Sequence, residues 1–385
     1  MLVEIDRAGK VLRGELLEVV SPSGSRRISP CPLSERCGGC DWLHLGEEGQ
    51  RRAKIEVVLS ALEHLAGIHR GELEILPARF CERQLGYRRR AVMHLRSGRL
   101  CLFGRRSHES VTLDACPAMV PRLSELLVPL GAKLRRLEAD AKAVHLLCEG
   151  AAVSFAVFLL GPIRPSQVEI CERAVRELDL QGAVLVAPAG PPRVVGEPTL
   201  TEEVTGLRSR PDVFAQANAE ANAALRSAIL DRLAVKSGDR ILELHCGNGN
   251  LTLSLAAAGA EVVAVEASPS ALELARAGAR RHASTVRFIQ GEAVGVCQAL
   301  AAEGARFTSL LLDPPRAGAP GIGSAARQLL CERVVYVSCE PAALARDAES
   351  LTGAGYLPQS LQLIDMFPQT RHAEVVMSFA RSAVS

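Results

Sequence analysis

A cysteine placed where a predicted strand gives way to a helix is the first chemical feature of the sequence. Val334–Val337 is a short β-branched and aromatic run that predicts a buried parallel strand, and Ser338-Cys339-Glu340-Pro341 ends it. Pro341 and the alanine-rich segment after it favour a helix, so Cys339 lies on a strand-to-helix turn. Ligands bind at this edge of an open α/β sheet, which makes Cys339 a candidate for catalysis rather than a buried filler.

A glycine-containing turn and an acidic residue form a second candidate site in the same predicted sheet. The sequence Glu243-Leu-His245-Cys-Gly247-Asn-Gly249-Asn250 covers the end of one strand and the turn after it, and the next strand ends on Glu266. The glycines let a ligand approach the backbone, and the carboxylate is placed to accept ribose hydroxyls. Thr252 replaces the third glycine of a dinucleotide fingerprint, so S-adenosylmethionine fits better than NAD. Glu292 would then lie near the adenine, and Asp313 near the reacting centre.

Three closely spaced cysteines, with a fourth further along the chain, predict a metal centre. Cys31, Cys37 and Cys40 are separated by few residues, and the glycines at positions 38 and 39 let the backbone fold so that the sulfurs face one centre. Cys116 is followed by proline, as in one common iron–sulfur signature, and is the candidate fourth ligand. Core packing and a zinc site completed by histidine are the alternatives. A zinc ribbon would show two Cys-x2-Cys knuckles, and the presence of one favours an iron–sulfur cluster.

An arginine-rich stretch is a candidate contact for nucleic acid. Residues 86–106 carry seven arginines among apolar strand positions and no acidic residue (Arg88, Arg89, Arg90, Arg96, Arg99, Arg105 and Arg106). Such alternation is also typical of a solvated strand face, but the absence of acids favours contact with phosphate. We therefore predict RNA or DNA binding here, with Arg88, Arg89 and Arg90 as the candidate residues.

The composition limits the class of protein. The chain has 385 residues, 48% of them hydrophobic, which is enough for two or three domains with large cores. Its net charge of +2 gives no overall basic field, so a nucleic-acid site must be a local patch. The amino terminus has charges where a signal peptide needs an apolar core, and no run approaches the roughly 18 apolar residues of a membrane span. We predict a cytoplasmic protein without membrane contact, whose twelve cysteines are unlike a disulfide framework.

Strand and helix patterns place the candidate residues in three predicted domains. Residues 1–70 hold weak strand patterns, the cysteine segment and a helix from about 46 to 66, and residues 71–207 predict an α+β domain with helices near 119–137 and 165–178. Residues 208–385 begin with a helix over 216–234. Strands alternating with helices follow, and a pair of strands closes the chain (240–244, 262–266, 286–290, 309–313, 334–338, 359–364 and 374–380). This pattern predicts a doubly wound, Rossmann-like α/β sheet.

Five motifs together resemble one enzyme family. FAQAN, LELHCGNGN, LLLDPPRAG, YVSCEPAALARD and DMFPQTRHAE occur in the order and spacing of the class I methyltransferases that make 5-methyluridine in ribosomal and transfer RNA. The resemblance, which extends from Cys31 to about Phe379, implies that Cys339 adds to C6 of the uracil and that Glu374 removes the C5 proton after methylation. It also implies that Asp313 positions or polarises a uracil that has left its stack.

The resemblance further implies cofactors and partners. Contacts to S-adenosylmethionine fall on the glycine turn and its surroundings (Gln216, His245, Gly247, Gly249, Asn250, Glu266, Glu292 and Asp313). A [4Fe–4S] cluster falls on the four cysteines (Cys31, Cys37, Cys40 and Cys116). The expected partner is RNA, with ribosomal RNA favoured over transfer RNA, and the protein is expected to be a monomer.

The chain also departs from the family pattern. The family usually has Asn in place of Glu340, Phe in place of His245 and valine in place of Ala217, and Glu340 adds a carboxylate beside a thiol that must ionise. Many members carry an amino-terminal β-barrel, of which residues 1–30 supply at most the last strand. The alternatives are a DNA cytosine-5 methyltransferase, whose nucleophile usually follows strand four, and an idle RNA-binding or cluster-carrying protein. A cysteine after strand five, together with Glu374 and Asp313, favours methylation of uracil in RNA.

Overall fold

The amino-terminal part of the protein contains a hairpin, a cysteine-bearing segment and a long helix. The structure is a computed structural model that describes residues 2–8, 11–282 and 285–382. The regular elements of this part are β1 (Leu2–Ala8), β2 (Val11–Glu18), α1 (Glu47–Ala66) and β3 (Glu74–Arg79). Helix α1, predicted over 46–66, is confirmed, and it ends where Gly67 adopts a left-handed conformation with φ of 64°. None of the helices in the described ranges is long and apolar enough to span a bilayer.

The central part of the chain forms a sheet and two helices around one core. Its elements are β4 (Arg90–Arg96), β5 (Arg99–Phe103), β6 (Ser110–Thr112), α2 (Pro121–Leu134), β7 (Ala141–Glu149), β8 (Ala152–Leu159), α3 (Pro165–Glu177), β9 (Gly182–Val186), β10 (Arg193–Gly196), β11 (Leu200–Thr201) and β12 (Arg208–Ser209). The main sheet has the order β10-β9-β8-β7-β4-β5-β6. Met93 of β4, Leu127 of α2 and Cys171 of α3 belong to the same buried cluster. The predicted α+β character and both predicted helices are confirmed.

The C-terminal part of the chain forms the predicted α/β sheet. Its elements are α4 (Ala219–Leu233), β13 (Arg240–Leu244), α5 (Thr252–Ala257), β14 (Glu261–Glu266), α6 (Pro269–Gly278), β15 (Val286–Gln290), α7 (Ala293–Ala302), β16 (Ser309–Leu312), α8 (Ile322–Gln328), β17 (Arg333–Ser338), α9 (Pro341–Gly353), β18 (Tyr356–Ile364) and β19 (Glu374–Arg381). The sheet has the order β15-β14-β13-β16-β17-β19-β18-β3. All neighbours are parallel except β19, which runs antiparallel between β17 and β18. The strand order reverses at β13, which is where such sheets bind ligands.

Strand β17 shows why this sheet is covered on both faces. Val334 and Tyr336 belong to one buried cluster, whereas Val335 and Val337 belong to another. Successive side chains of a strand point to opposite faces, so a run that is apolar at every position needs a core on each side. The continuous apolar runs of the sequence are thus explained by a doubly wound sheet.

Helix α1, from the predicted amino-terminal segment, and strand β3, from the predicted central domain, both pack with the C-terminal sheet. Strand β3 pairs in parallel with β18 at the edge of the sheet. Val58 and Leu62 of α1 lie in one buried cluster with Leu344 of α9. The predicted domain boundaries at 70/71 and 207/208 divide the chain by sequence alone. In the structure, the apolar side of α1 is buried against the C-terminal helices, so this helix packs with a part of the chain beyond both boundaries.

Candidate active site

Three side chains capable of covalent or acid–base chemistry meet at the carboxyl edge of the C-terminal sheet. Cys339 follows β17, Asp313 follows β16, and Glu374 is the first residue of β19. Strand β17 lies between β16 and β19. Because β19 is antiparallel, its first residue lies at the edge where the parallel strands end. The fold therefore brings a thiol and two carboxyl groups together from three separate motifs.

Burial and mutual repulsion raise the pKa of each of these groups. The pKa of the Cys339 thiol rises to about 11, first because of burial and then because of the negative charges of Glu374 and Asp313, while Arg316 opposes the rise. Burial raises the pKa of Asp313 to about 7. Burial and the charge of Asp313 raise the pKa of Glu374 well above its ordinary value. Once ionised, a carboxylate with a raised pKa is a stronger base than an exposed one.

Glu340, the residue next to Cys339, is the N-cap residue of α9, and its side chain makes no capping hydrogen bond. Its backbone N–H donates to the Ser338 hydroxyl at 3.1 Å, and that hydroxyl donates to the Glu340 carbonyl oxygen at 3.1 Å. The main charges that act on the Cys339 thiol are those of Glu374, Asp313 and Arg316. Glu340 acts on His372, whose pKa is lowered chiefly by burial and is raised slightly by this carboxylate. The presence of Glu340 instead of the asparagine that is usual in the family thus alters the surroundings of His372.

The glycine turn after β13 forms an open cradle beside these groups. His245, Gly247 and Gly249 all have positive φ, of 61°, 56° and 87°, which is a conformation that glycine adopts without strain. The Gly247 N–H donates to Glu266 Oε2 at 2.9 Å, and the Ser268 N–H donates to Glu266 Oε1 at 2.7 Å. No atom lies within 4 Å of the Cβ position at Gly247. The turn therefore leaves room for a ligand and holds the Glu266 carboxylate next to it.

The other predicted cofactor residues lie around the same turn. Gln216 is 6% exposed, and its Oε1 is buried without a hydrogen-bond partner. Asn250 exchanges side-chain hydrogen bonds of 2.8 Å with Asn222 of α4. Glu292 is exposed at the start of α7, close enough to raise the pKa of His245, which burial lowers. The structure thus gathers these residues at the end of the sheet where its strand order reverses.

A buried acid in this region was not singled out by the sequence. Glu243 of β13 is 1% exposed, and its Oε2 accepts a hydrogen bond of 2.6 Å from the Thr252 hydroxyl. Its Oε1 is buried without a partner, and burial raises the pKa of this carboxyl to about 8. A single acid within the apolar strand RILEL is the signal that could have identified it, because buried acids are rare unless they have a partner.

The four predicted metal-binding cysteines line one small cavity next to the central sheet (Cys31, Cys37, Cys40 and Cys116). The Gly39 N–H lies 3.4 Å from the Cys37 sulfur, and a Cβ at Gly38 would come within 2.9 Å of the Phe103 carbonyl oxygen. In the described part of the chain, no three Cys, His, Asp or Glu side chains are arranged to hold a metal ion. Four thiols in one cavity agree in donor type with an iron–sulfur cluster, in which each thiolate binds a different iron.

Of the three arginines predicted to bind RNA, Arg89 is buried, whereas Arg88 and Arg90 are half-buried. Arg89 is 6% exposed, pairs with Glu149 at the end of β7, and donates from Nε to the Gln216 carbonyl oxygen at 3.0 Å. The Nε atoms of Arg88 and Arg90 are buried without a partner. Arg88 lines the cysteine cavity, and the Arg90 guanidinium lies 5.7 Å from the centre of the Phe214 ring. Arg89 is thus engaged within the protein, and contact of these three arginines with phosphate stays a prediction.

A large groove is lined by arginines and also by four acidic side chains (Glu4, Glu18, Glu35 and Asp41). It runs along the β1–β2 hairpin, the cysteine segment and the β4–β5 hairpin, with a volume of about 2140 Å³. Five arginines line it (Arg26, Arg27, Arg105, Arg106 and Arg371). The rings of His94 and Phe103, stacked with their centroids 4.1 Å apart, and Trp42 line it as well. Arg371, which also lines the groove, lies three residues before Glu374 in the sequence.

Comparison with protein families and curated proteins gives a consistent result. The family model described as tRNA (Uracil-5-)-methyltransferase matches residues 199–382. The chain is 35% identical over 391 residues to the 23S rRNA (uracil(1939)-C(5))-methyltransferase RlmD of Pseudomonas putida, covering 97% of this chain and 85% of the relative. It is 36% identical over 385 residues to the protein of the same name from Edwardsiella ictaluri, covering 96% of this chain and 86% of the relative. These matches do not favour a DNA methyltransferase or an idle binding protein.

Comparison with solved structures supports the fold. The tRNA (uracil-54, C5)-methyltransferase of Pyrococcus abyssi, solved in complex with S-adenosyl-L-homocysteine, superposes with a TM-score of 0.72. The superposition covers 98% of this chain and 92% of that chain at 19% sequence identity. The central domain and the C-terminal sheet therefore occur together in an experimental structure.

Proposed function

Because this chain belongs to the family of S-adenosylmethionine-dependent RNA uracil-C5-methyltransferases, we propose that it methylates C5 of one uridine in 23S ribosomal RNA. The observation that carries the proposal is the meeting of Cys339, Asp313 and Glu374 beside the glycine turn. The curated relatives that match nearly the whole chain are named for uracil 1939 of 23S rRNA, which supports this uridine as the target.

Cys339 acts as the nucleophile in this proposal. C5 of uracil is a weak nucleophile until the Cys339 sulfur adds to C6, which moves an electron pair towards C5 and O4. S-adenosylmethionine, when bound, supplies the electrophilic methyl group for C5. Asp313, with its pKa raised to about 7, can present a proton to the uracil while negative charge develops there. The target base must leave its stack to reach the edge of the sheet.

Glu374 acts as the base that ends the reaction. After methylation, C5 carries both the methyl group and its original proton, so the product cannot form until that proton leaves. Glu374 accepts the proton, the electron pair restores the C5–C6 double bond, and the bond between C6 and the Cys339 sulfur breaks. The raised pKa of Glu374 makes the ionised carboxylate a stronger base than an exposed glutamate.

The chain's own residues fit S-adenosylmethionine. The unpartnered Oε1 of Gln216 can accept a hydrogen bond from the ligand, and the open turn at Gly247 lets the ligand approach the backbone. Gly249 instead packs against Ala275, where a Cβ would come within 3.3 Å of the Ala275 Cβ. Glu266 is placed for the ribose hydroxyls and Glu292 for the adenine side. His245 and Asn250 complete the cradle, and Asp313 faces both the cofactor and the uracil.

We propose that the cysteine cavity holds a [4Fe–4S] cluster through Cys31, Cys37, Cys40 and Cys116. The convergence of four thiols in one cavity and the Gly39 N–H beside the Cys37 sulfur support this assignment. Methyl transfer needs no electron, so the role of the cluster is structural. We also propose that RNA lies in the groove lined by the five arginines, with unpaired bases against the rings of His94 and Phe103.

The proposed roles of Cys339 and Glu374 can be tested separately because nucleophilic addition precedes removal of the C5 proton. With a 23S rRNA transcript and cofactor labelled in its methyl group, Cys339→Ala should form no covalent complex. Glu374→Gln should add and methylate, and then stall, because glutamine cannot accept the proton. A methyl-labelled enzyme–RNA adduct should therefore survive denaturing electrophoresis with Glu374→Gln, and product release should slow by about 10²- to 10⁴-fold.

Two matched variants control for non-specific effects. Cys297→Ala removes a buried cysteine on α7, and Glu303→Gln neutralises an exposed glutamate, and both should retain normal turnover. Turnover by Cys339→Ala, or normal release of methylated RNA by Glu374→Gln, would show that another nucleophile or base is used.

A further inference from the structure

The loop that carries the proposed base is anchored by the amino-terminal part of the chain. It comprises residues 365–373, between β18 and Glu374, and is here named the base loop. Backbone carbonyl groups of Phe367, Pro368 and Gln369 accept hydrogen bonds from residues numbered below 90. One of these bonds comes from Tyr87, whose hydroxyl donates to the Pro368 carbonyl oxygen at 2.9 Å. The position of Glu374 thus depends on contacts with residues far away in the sequence.

A fully buried ion pair forms the first anchor. Lys54 of α1 is 0% exposed, and its ammonium group donates to Asp365 Oδ1 at 2.6 Å and to the Phe367 carbonyl oxygen at 2.9 Å. Asp365 is 2% exposed. A buried pair is weak evidence for stability, since apolar residues of the same shape can replace it, but it constrains the backbone that it binds. Lys54 ties the start of the base loop to α1.

A pair of buried glutamines forms the second anchor. Gln369 is 0% exposed with φ of 68°, a left-handed conformation that a non-glycine residue keeps only when its surroundings impose it. Its N–H donates to Gln50 Oε1 at 2.9 Å, and its side-chain Oε1 accepts from Gln50 Nε2 at 2.9 Å and from Arg27 at 2.6 Å. Its carbonyl oxygen accepts from the Trp42 N–H at 2.9 Å. Trp42 follows Cys40 by two residues, so this anchor links the base loop to the cysteine segment.

We propose that Lys54 and Gln369 are positioning residues for removal of the C5 proton: they hold the base loop, and hence Glu374, against α1 and the cysteine segment. The proposal rests on the role assigned to Glu374 above. Cys339 lies on a different connection, between β17 and α9, and has no hydrogen bond to the base loop in the described part of the chain. Loosening the loop should therefore slow the last step and leave nucleophilic addition and methyl transfer intact. A displacement of about 1 Å at a reacting group can slow a step roughly a hundredfold.

The test separates positioning from stability through two variants. Lys54→Met/Asp365→Asn replaces the ion pair by groups of similar shape, so the protein should fold, but it removes the charged donor to Phe367. Gln369→Gly removes the side-chain anchor and relieves the left-handed strain at the same time. Tyr356→Phe is the matched control, because it removes a buried hydroxyl that donates to Ala326 and Cys331 at the opposite end of β18.

Two RNA substrates separate the steps. A 23S rRNA transcript made with 5-fluorouridine has fluorine in place of the C5 proton, so every active variant stops as a methylated covalent adduct and reports only the early steps. The unmodified transcript reports release as well. Both anchor variants should form the fluorinated adduct at the wild-type rate. On unmodified RNA they should release product roughly 10- to 100-fold more slowly and accumulate the adduct, whereas Tyr356→Phe should behave as wild type on both.

Any result other than normal adduct formation with slowed product release would overturn the proposal. Normal release by both anchor variants would mean that the anchors do not position Glu374. An equal slowing of adduct formation and release would mean that they act only through general stability. Failure of the wild-type protein to form an adduct with the fluorinated RNA would overturn the function of Cys339, and this inference with it.

Discussion

The thiol of Cys339 is surrounded by groups that keep its proton in place. Burial and the charges of Glu374 and Asp313 raise its pKa to about 11, above the value of an exposed thiol. At neutral pH only a small fraction of the protein therefore carries the reactive thiolate. As long as the pH is below the pKa, this fraction increases tenfold for each unit by which the pH rises. Nucleophilic attack should be a rising function of pH.

Selective alkylation of Cys339 checks this expectation. The rate of carbamidomethylation of Cys339 by iodoacetamide, followed by peptide mapping, should rise from pH 7 to 10 without a plateau. Asp313→Asn removes a negative charge that is present above about pH 7, so it should lower the pKa of the thiol and shift the curve to lower pH. Asp179→Asn, in a distant turn, should leave the curve unchanged. A plateau near pH 8.5 in the wild type would contradict the argument.

Residues in contiguous motifs were predictable, whereas residues that act through long-range contacts were not. Three site residues lie at or directly after the end of a strand whose apolar run is visible in the sequence (Cys339, Asp313 and Glu266). Their position at one edge of the sheet therefore follows from the sheet topology. Arg89 lies in a stretch without acids, and its partner Glu149 belongs to another strand. The alternation of polar and apolar residues shows that the strand has two different faces. It does not show which part of the protein covers each face. For the same reason, nothing local relates Lys54 to Asp365.

At the scale of elements, the cysteine segment depends on close contact with β5. The Gly38 N–H donates to the Phe103 carbonyl oxygen at 3.0 Å, and a side chain at this position would collide with that oxygen. The segment thus holds three cysteines near Cys116, which comes from the loop before α2. The cysteine spacing predicts a metal site in this segment, which stays a prediction, whereas its contact with β5 could not be predicted from the spacing.

Metal content tests the role of this segment. Anaerobically purified protein should be brown and contain about four irons and four acid-labile sulfides per chain. Cys116→Ser should lose this iron, whereas Cys148→Ser, which changes a buried cysteine of β7, should retain it. Because the Trp42 N–H binds the base loop, iron loss from Cys116→Ser should also lower the thermal stability. Stoichiometric zinc without sulfide would refute the cluster.

At the scale of the whole molecule, the groove joins elements from all three parts of the chain. Arg26 comes from the amino-terminal part, Arg106 from the β5–β6 connection and Arg371 from the base loop. A near-neutral protein needs a local concentration of positive charge to bind a polyanion. The fold brings five arginines that are distant in sequence into one groove with four acidic side chains, and RNA binding there stays a prediction.

The salt dependence of RNA affinity tests the groove. Arg26→Glu/Arg106→Glu should weaken binding of a 23S rRNA transcript and reduce the slope of log affinity against log salt by roughly 1.4 to 1.8, as expected for two lost phosphate contacts. Arg136→Glu/Arg173→Glu causes the same change in net charge at exposed positions outside the groove. Equal effects of the two pairs would mean that net charge, and not the groove, controls RNA binding.

The pairing of β3 with β18 imposes an order on biosynthesis. Residue 74 cannot find its partner until residue 360 has left the ribosome. At ~5–20 residues per second, this delay is on the order of 15 to 60 s. During that interval α1 also lacks α9, and all four cysteines of the cavity have been made once residue 116 is added. If the proposed cluster is held by these thiols, the nascent chain offers them to iron and sulfide donors before the C-terminal sheet closes over α1, and cluster insertion would then precede formation of the catalytic edge.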